Sequence, residues 1–204
     1  MRCKRPLSFH SASVTNIPTT EDAERPELPD RLIDCLTGHE IPFSNRDNIR
    51  QKALKYLIDE KGYSKEDFVI DREIKFHADG RQVTSTVDIS IILGKITFML
   101  WKCSSGSLVS RERQILASAR LLEEYIVPFA AVTNGLDAEL LDAVTGDVIG
   151  CGFASIPKKE EMLKNPGVFP LKPVNKEKLS IEQRILYTYD AISCPTACDN
   201  RAGK

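Results

Sequence analysis

The chain has 204 residues, of which 42% are hydrophobic and 28% are charged, and its formal net charge is −1. This length suits one domain with a sizeable core and extensions at its ends. The near-zero charge excludes a protein that coats nucleic acid through a strongly basic surface, so any such contact is expected to be local. No apolar run approaches the roughly 20 residues of a membrane-spanning helix. We therefore expect no membrane contact, and six scattered cysteines indicate reduced thiols in the cytoplasm.

Composition divides the chain into three parts. Residues 1–40 are rich in Pro, Ser, Thr and Glu, which predicts a partly disordered N-terminal extension. Residues 41–156 carry the apolar patterns of a folded core, and residues 157–204 predict a C-terminal helical extension with a flexible tail. In that tail Cys194 and Cys198 are separated by three residues rather than the two of a zinc knuckle, so an unconstrained tail is expected.

The first helix of the core is predicted to begin near Asn45. Ser44 and Asp47 have the spacing of a capping box, and Gly62 is expected to end the helix. The helix carries an apolar stripe made of Ile49, Ala53, Leu54 and Leu57.

The remaining elements predict a mixed sheet between layers of helices. In chain order they are strands 68–76, 84–93 and 96–103, helix 110–125, strand 126–133, a hairpin of 138–144 and 148–153, and helix 176–192. The last helix has an apolar stripe of Ile181, Ile185, Tyr189 and Ile192. Because 96–133 forms a strand–helix–strand unit, the fold class is α/β, a three-layer α/β/α sandwich with a mixed central sheet.

Two charged residues near strand ends are the main functional signal. Asp88 lies near the end of the second strand and Lys102 near the end of the third, so a tight turn at 94–95 lets them converge. In a metal-dependent nuclease such an Asp holds a divalent cation, and such a Lys orients or helps to activate the attacking water. A second carboxylate is normally needed two residues before the Lys, on the same face of the strand. That position is Leu100 here.

Asp88 and Lys102, taken together with three further sequence signals, resemble the pattern of a known family. These signals are Leu36-Thr37-Gly38 followed by Asp47-x-x-Arg50-Gln51, the helix end Lys61-Gly62-Tyr63, and the turn Val132-Thr133-Asn134-Gly135. Together with Asp88, Lys102 and Gln114 they resemble the N-terminal domain of type I restriction enzyme R subunits, over roughly residues 38–155. That domain belongs to the PD-(D/E)xK nuclease superfamily, so the resemblance implies a restriction-endonuclease-like fold.

The resemblance also implies roles for single residues. Asp88 matches the metal-binding Asp, Lys102 the catalytic Lys, and Gln114 the glutamine that follows the core motif. Mg²⁺ is the cofactor expected if the chain is catalytically active. The sequence departs from the family pattern at Leu100, which replaces the middle acid, and at Ser118, where an aromatic residue is expected.

The missing acid has a candidate replacement. Glu112 lies one turn before the apolar face of the second helix and could bind the metal together with Asp88. The alternative is that Glu112 only stabilises the helix dipole from the first turn. Glu73 is a further carboxylate that could project into the site. Asp88 itself could instead form a structural ion pair with Lys102.

The start of the second helix is a candidate nucleic-acid contact. Arg111, Arg113 and Gln114 follow a Ser/Gly loop, and arginines beside the amides of a helix N-terminus can bind phosphate. A solvated charged turn is the alternative.

Two main hypotheses follow. The first is a degenerate nuclease-like protein that acts in nucleic-acid binding, with DNA as the expected partner, or in protein binding. The second is an active Mg²⁺-dependent endonuclease, an enzyme that hydrolyses phosphodiesters, in which Asp88 and Glu112 bind the metal and Lys102 assists the water. A third possibility is a protein partner that docks on the C-terminal helix.

Overall fold

The computed structural model of the protein describes residues 29–78, 80–164 and 171–191. The first 28 residues of the predicted extension, and the tail with Cys194 and Cys198, lie outside the described residues. The helices and strands are β1 (Arg31–Ile33), β2 (Glu40–Pro42), α1 (Asn45–Asp59), β3 (Phe68–Ala78), β4 (Arg81–Leu93), β5 (Ile96–Cys103), α2 (Val109–Leu121), β6 (Phe129–Thr133), β7 (Ala138–Asp142), β8 (Val148–Cys151), α3 (Lys159–Lys164) and α4 (Leu179–Ala191).

The central sheet has six strands in the order β3-β4-β5-β6-β7-β8. Only the β5–β6 pair is parallel among the described strands, and α2 forms the crossover between them. One apolar cluster joins α1 to one face of the sheet, and a second joins α2 and α4 to the other face. The predicted α/β class, the strand–helix–strand unit and the mixed sheet between helical layers are thus confirmed.

Helix α1 forms as its sequence predicts. The Ser44 hydroxyl accepts a hydrogen bond from the Asp47 backbone N–H at 3.0 Å, which caps the helix at the residue before Asn45. The whole predicted stripe, from Ile49 to Leu57, is buried against the sheet. Capping and burial together fix the first turn of α1 beside the C-terminal end of β5.

Strands β1 and β2 form a small hairpin within residues 31–42, most of which the sequence analysis placed in the partly disordered N-terminal extension. The Asp34 carboxylate accepts hydrogen bonds from the N–H groups of Leu36 and Thr37 at 2.9 and 3.0 Å. Gln51 on α1 donates to Asp34 at 3.1 Å and accepts from the Cys35 N–H at 2.8 Å. Gln51 therefore attaches the hairpin to α1, which places the Leu36-Thr37-Gly38 and Arg50-Gln51 signals side by side.

Strands β4 and β5 separate at Asp88. From Ile89 onward, β4 pairs with β5 on one side, beginning with Ile89 opposite Trp101, and as far as Ile91 it also pairs with β3 on the other. Residues 81–87 of β4 pair with β3 alone among the described strands. The free part of the β3–β4 hairpin forms an arm that packs against α4. Along β3, Phe68 belongs to the apolar cluster on the α1 side, but Ile74, at the same strand parity, belongs to the cluster on the α2 side. The side chains of the arm thus change face where the two strands separate.

The backbone of Asp71 accounts for this change of face. Asp71 has a φ of +53°, in the left-handed region that few residues other than Gly, Asn and Asp adopt. The flanking pairs Ile70–Ile89 and Arg72–Val87 place Asp71 opposite Asp88. Two carboxylates therefore lie across from each other at the point where the sheet opens.

Helix α4 packs on α2 with a face that differs from the predicted stripe. Leu186 is fully buried and Glu182 is nearly so, whereas Ile181 is 57% exposed. The reason is a long-range ion pair, because Arg120 of α2 donates to the Glu182 carboxylate at 2.8 Å. The predicted stripe was wrong at Ile181, and its last member, Ile192, lies outside the described residues. Within the described parts of the chain, no helix is long and apolar enough to cross a membrane.

Candidate functional site

A cleft of about 350 Å³ opens at the C-terminal end of β5. The N-terminal turns of α1 and α2, the loop after β5 and the last turn of α4 surround it. Its charged and polar lining includes Arg46, Lys102, Ser104, Arg111, Gln114 and Asp190. Three cationic side chains and one carboxylate thus face a solvent-accessible space at the place where the sheet opens.

Asp88 lies fully buried behind this cleft. Its Oδ1 atom accepts from Arg46, with Nε at 2.6 Å and Nη2 at 2.5 Å, and lies 3.4 Å from Lys102 Nζ. Its Oδ2 atom accepts from the Cys103 backbone N–H at 2.5 Å. Lys102 also donates to the Thr86 carbonyl at 3.2 Å. The structure therefore brings Asp88 and Lys102 together at the predicted point and adds Arg46 as a closer partner.

Asp71 is a second carboxylate at this site, which the sequence analysis missed. Its Oδ1 atom bonds the same Arg46 Nη2 group, and its Oδ2 atom accepts from Arg50 Nη1 at 2.9 Å. Arg50 in turn pairs with Asp47 at 2.6 Å. Charges alternate through the cluster in the order Asp47, Arg50, Asp71, Arg46, Asp88, Lys102. A usable signal was present in the sequence, because an Asp is unfavourable inside a strand unless its backbone or side chain has a special role.

Burial and neighbouring charges determine the protonation of two groups here. For Arg46, desolvation is the largest influence and lowers the pKa, but the Asp88 and Asp71 carboxylates together raise the pKa above its ordinary value. For Cys103, burial first and then the Asp88 charge raise the pKa of the thiol far above its ordinary value. Arg46 therefore stays a cation, and Cys103 stays protonated and does not provide a thiolate nucleophile.

The residues at this site do not fit Mg²⁺. That ion takes oxygen ligands in near-octahedral geometry, usually one or two carboxylates with waters or phosphates. Both oxygens of Asp88 already accept from donors, and the positive Arg46 lies against them. Leu100 is fully buried in the α2-side apolar cluster. Within the described residues, no group of three or more His, Cys, Asp or Glu side chains is placed to hold a metal ion.

The two other candidate acids lie away from the cleft lining. Glu112 is half-buried in the first turn of α2 and does not line the cleft. Glu73 is exposed and pairs with Lys75 at 2.9 Å. The role of Glu112 as a metal ligand therefore stays a prediction.

The predicted nucleic-acid contacts divide into two groups. Arg111 and Gln114 line the cleft, with Arg111 Nη1 3.4 Å from the Gln114 amide oxygen, whereas Arg113 is exposed and outside the lining. Gln114 donates to Asp190 at 3.3 Å, and the Arg111 guanidinium lies 5.9 Å from the centre of the Tyr189 ring.

The walls of the cleft retain unused hydrogen-bonding capacity. Among the described residues, Arg111 Nε and Asp190 Oδ2 are buried without a hydrogen-bond partner. Leu108 occupies the N-cap position of α2 and has no side-chain oxygen to accept from the first amides of that helix. The Arg111 N–H already donates to the Leu108 carbonyl at 2.8 Å, so at the start of α2 it is the Arg111 guanidinium that lines the cleft and can bind an anion.

Comparison with known proteins gives one informative match. A family model described as type I restriction enzyme R protein N terminus matches residues 45–157, which is more than half of the chain. No curated protein and no solved structure matches. The matched segment runs from the start of α1 to just beyond β8, so it contains Arg46, Asp71, Asp88, Lys102 and Arg111.

Proposed function

This chain belongs to the type I restriction enzyme R protein N-terminal family, and from that premise we propose that it is a nuclease-like domain that binds nucleic acid without cleaving it. Family membership supports a nuclease-like or restriction-related role. The observation that carries the proposal is the environment of Asp88, whose oxygens accept from Arg46, Lys102 and the Cys103 amide. In a working PD-(D/E)xK nuclease those oxygens would bind a metal ion.

The cleft supplies the chemistry for binding a phosphodiester backbone. Arg46, Lys102 and Arg111 present three cationic groups along its wall. Phosphate contacts of this kind position a nucleic acid without reading its sequence. Because Asp88 and Asp190 offset part of the charge, the affinity should be modest and should decrease as salt concentration increases.

The alternative is the active endonuclease in which Glu112 supplies the missing acid. The contact between Lys102 Nζ and Asp88 Oδ1 at 3.4 Å favours it, because a catalytic Lys would occupy that position. That mechanism requires Arg46 to leave Asp88 and a second acid to approach it. A protein partner on α4 has less support, because the apolar face around Leu186 already packs against the core of the same chain.

Binding is tested by fluorescence anisotropy with labelled single- and double-stranded DNA and RNA, in EDTA and across a series of salt concentrations. We expect Arg111→Ala to weaken binding and to reduce the slope of log K against log salt by about 1, as for loss of one phosphate contact. Arg113→Ala is the matched control, because it removes the same charge two residues away but outside the cleft lining. Equal effects of both variants, or no binding in EDTA, would overturn the proposal.

Cleavage is assayed on the same substrates with Mg²⁺ and Mn²⁺. We expect no metal-dependent product from the wild-type protein. Cleavage that is lost in Asp88→Ala, Lys102→Ala and Glu112→Gln would instead establish the endonuclease.

A further inference from the structure

Asp71 and Asp88 form a pair of carboxylates that requires a cation between them. They face each other across β3 and β4, between the pairs Ile70–Ile89 and Arg72–Val87. Directly opposed residues on antiparallel strands have Cβ atoms about 5 Å apart, and like charges at that distance destabilise the sheet. Burial increases this repulsion, because Asp88 is fully buried.

Arg46 provides that cation. Its guanidinium contacts both carboxylates, with two nitrogens on Asp88 and one of the same nitrogens on Asp71. The Arg46 side chain is 40% exposed and lines the cleft, so the cation also faces solvent. Asp71 reaches it from a left-handed backbone conformation, which an Asp adopts only when its surroundings favour it.

We infer that Arg46 is the resident cation of a two-carboxylate site that would otherwise take a divalent metal ion. Two carboxylates on neighbouring strands supply the one or two acid ligands by which Mg²⁺ and Mn²⁺ are commonly bound in proteins. The second acid of this site is Asp71 on β3, not a residue at position 100 or in α2. The guanidinium carries a permanent charge and, together with Arg50 at Asp71 and Lys102 at Asp88, it balances the two acids at every physiological pH. The wild-type protein accordingly does not need a metal ion there.

The test is metal binding, which does not depend on whether the cleft binds nucleic acid. Binding of Mn²⁺ is measured by electron paramagnetic resonance and by calorimetry, for the wild type, Arg46→Ala and Arg46→Ala/Asp71→Asn. We expect Arg46→Ala to bind one Mn²⁺ at least about tenfold more tightly than the wild type, a change of about 1.4 kcal/mol. The double variant should lose this gain, because it lacks the second carboxylate.

Control variants keep the result interpretable. Lys55→Ala removes a positive charge from the exposed side of the same helix and should not change Mn²⁺ binding. Arg46→Gln removes the charge but keeps hydrogen-bond donors, so it covers the case in which Arg46→Ala does not fold. A gain in thermal stability or a recovery of helical signal on adding Mn²⁺, in either Arg46 variant alone, supports the inference.

Two outcomes would overturn the inference. One is a wild-type protein that binds Mn²⁺ as tightly as the Arg46 variants, because the arginine would then not occupy the metal position between Asp71 and Asp88. The other is Arg46 variants that show neither binding nor stabilisation by Mn²⁺. Nucleic-acid binding in EDTA is measured separately, so failure of this inference and failure of the proposed function give different results.

Discussion

The two ends of β5 carry ion pairs of similar chemistry in different surroundings. At the start, Arg72 donates to both Thr97 Oγ1 and Glu123 Oε1 at 2.8 Å, and Thr97 Oγ1 donates to Glu123 at 2.5 Å. The side chains of Arg72 and Glu123 are each about one quarter exposed. At the other end, Asp88 has no exposed surface and accepts from two cations and one amide.

This difference shows what an ion pair needs in order to mark a candidate site. The network at Thr97 matches one acid to one cation and connects β3, β5 and the chain after α2, as a structural link does. The network at Asp88 buries its acid completely and leaves both of its cations, Arg46 and Lys102, lining a cleft. A cation that neutralises a buried acid and still contacts solvent can also contact a ligand.

The largest effect is expected from neutralising the buried acid. Asp88→Asn preserves the shape of the side chain but leaves Arg46 and Lys102 without their main counter-charge, which should reduce the free energy of unfolding by about 3–5 kcal/mol. Glu123→Gln, at the partly exposed network, should cost about 1 kcal/mol. Urea denaturation of both variants measures the contrast, and equal losses would mean that the two ends of β5 do not differ in this way.

A smaller loss of stability is expected at Asp71, the residue next to Arg72, where two substitutions distinguish the contribution of the charge from that of the backbone conformation. Asp71→Asn removes the charge but tolerates the left-handed backbone, and because the side chain is 45% exposed the expected loss is below about 1 kcal/mol. Asp71→Ala should lose about 1 kcal/mol more, from backbone strain. Thermal or urea denaturation gives the difference. If the two variants were equally stable, the change of face along β3 would not depend on this conformation.

The smallest effect is expected at Asp34, outside both networks. Desolvation is the largest single influence on Asp34 and raises its pKa, but hydrogen bonds from Thr37, Leu36 and Gln51 together lower the pKa below the ordinary value of 3.8. A lowered carboxyl pKa adds stability that is present above the ordinary pKa and is lost as pH falls through the folded pKa.

Asp34→Asn should therefore be slightly less stable than the wild type at neutral pH, and the difference should disappear in acid below pH 3.8. Unfolding measured across this pH range checks the prediction, with the exposed Asp30→Asn as the control. A difference in stability that did not change with pH would show that Asp34→Asn destabilises the protein through the shape of the side chain rather than through the loss of its charge.

Local patterns predicted most of the fold. The Ser44–Asp47 spacing located the start of α1, and the strand–helix–strand order from 96 to 133 predicted the parallel β5–β6 pair. Asp88 lies inside β4 rather than near its end, and it meets Lys102 because the two residues stand at matching distances from the tight turn on antiparallel strands, next to the pair Ile89–Trp101 and only 14 positions apart.

Long-range contacts account for what the sequence did not reveal. Arg46 meets Asp71 and Asp88 across 25 and 42 positions, and no periodicity connects them. Asp71 was hidden further because its left-handed backbone changes the alternation on which strand patterns depend. The buried face of α4 was also not predictable from local patterns, because the contact that orients Glu182 comes from Arg120, 62 positions earlier.

The hydrogen bond from the Cys103 N–H to Asp88 has an evolutionary consequence. In a regular sheet the Cys103 N–H would donate to a backbone carbonyl of β4, but here it donates to the Asp88 carboxylate. Asp88 therefore helps to form the point at which β4 and β5 separate. Selection for a stable chain would therefore preserve Asp88 even if hydrolysis had been lost long ago. The structural role of Asp88 thus gives selection a reason to keep this aspartate that does not depend on catalysis.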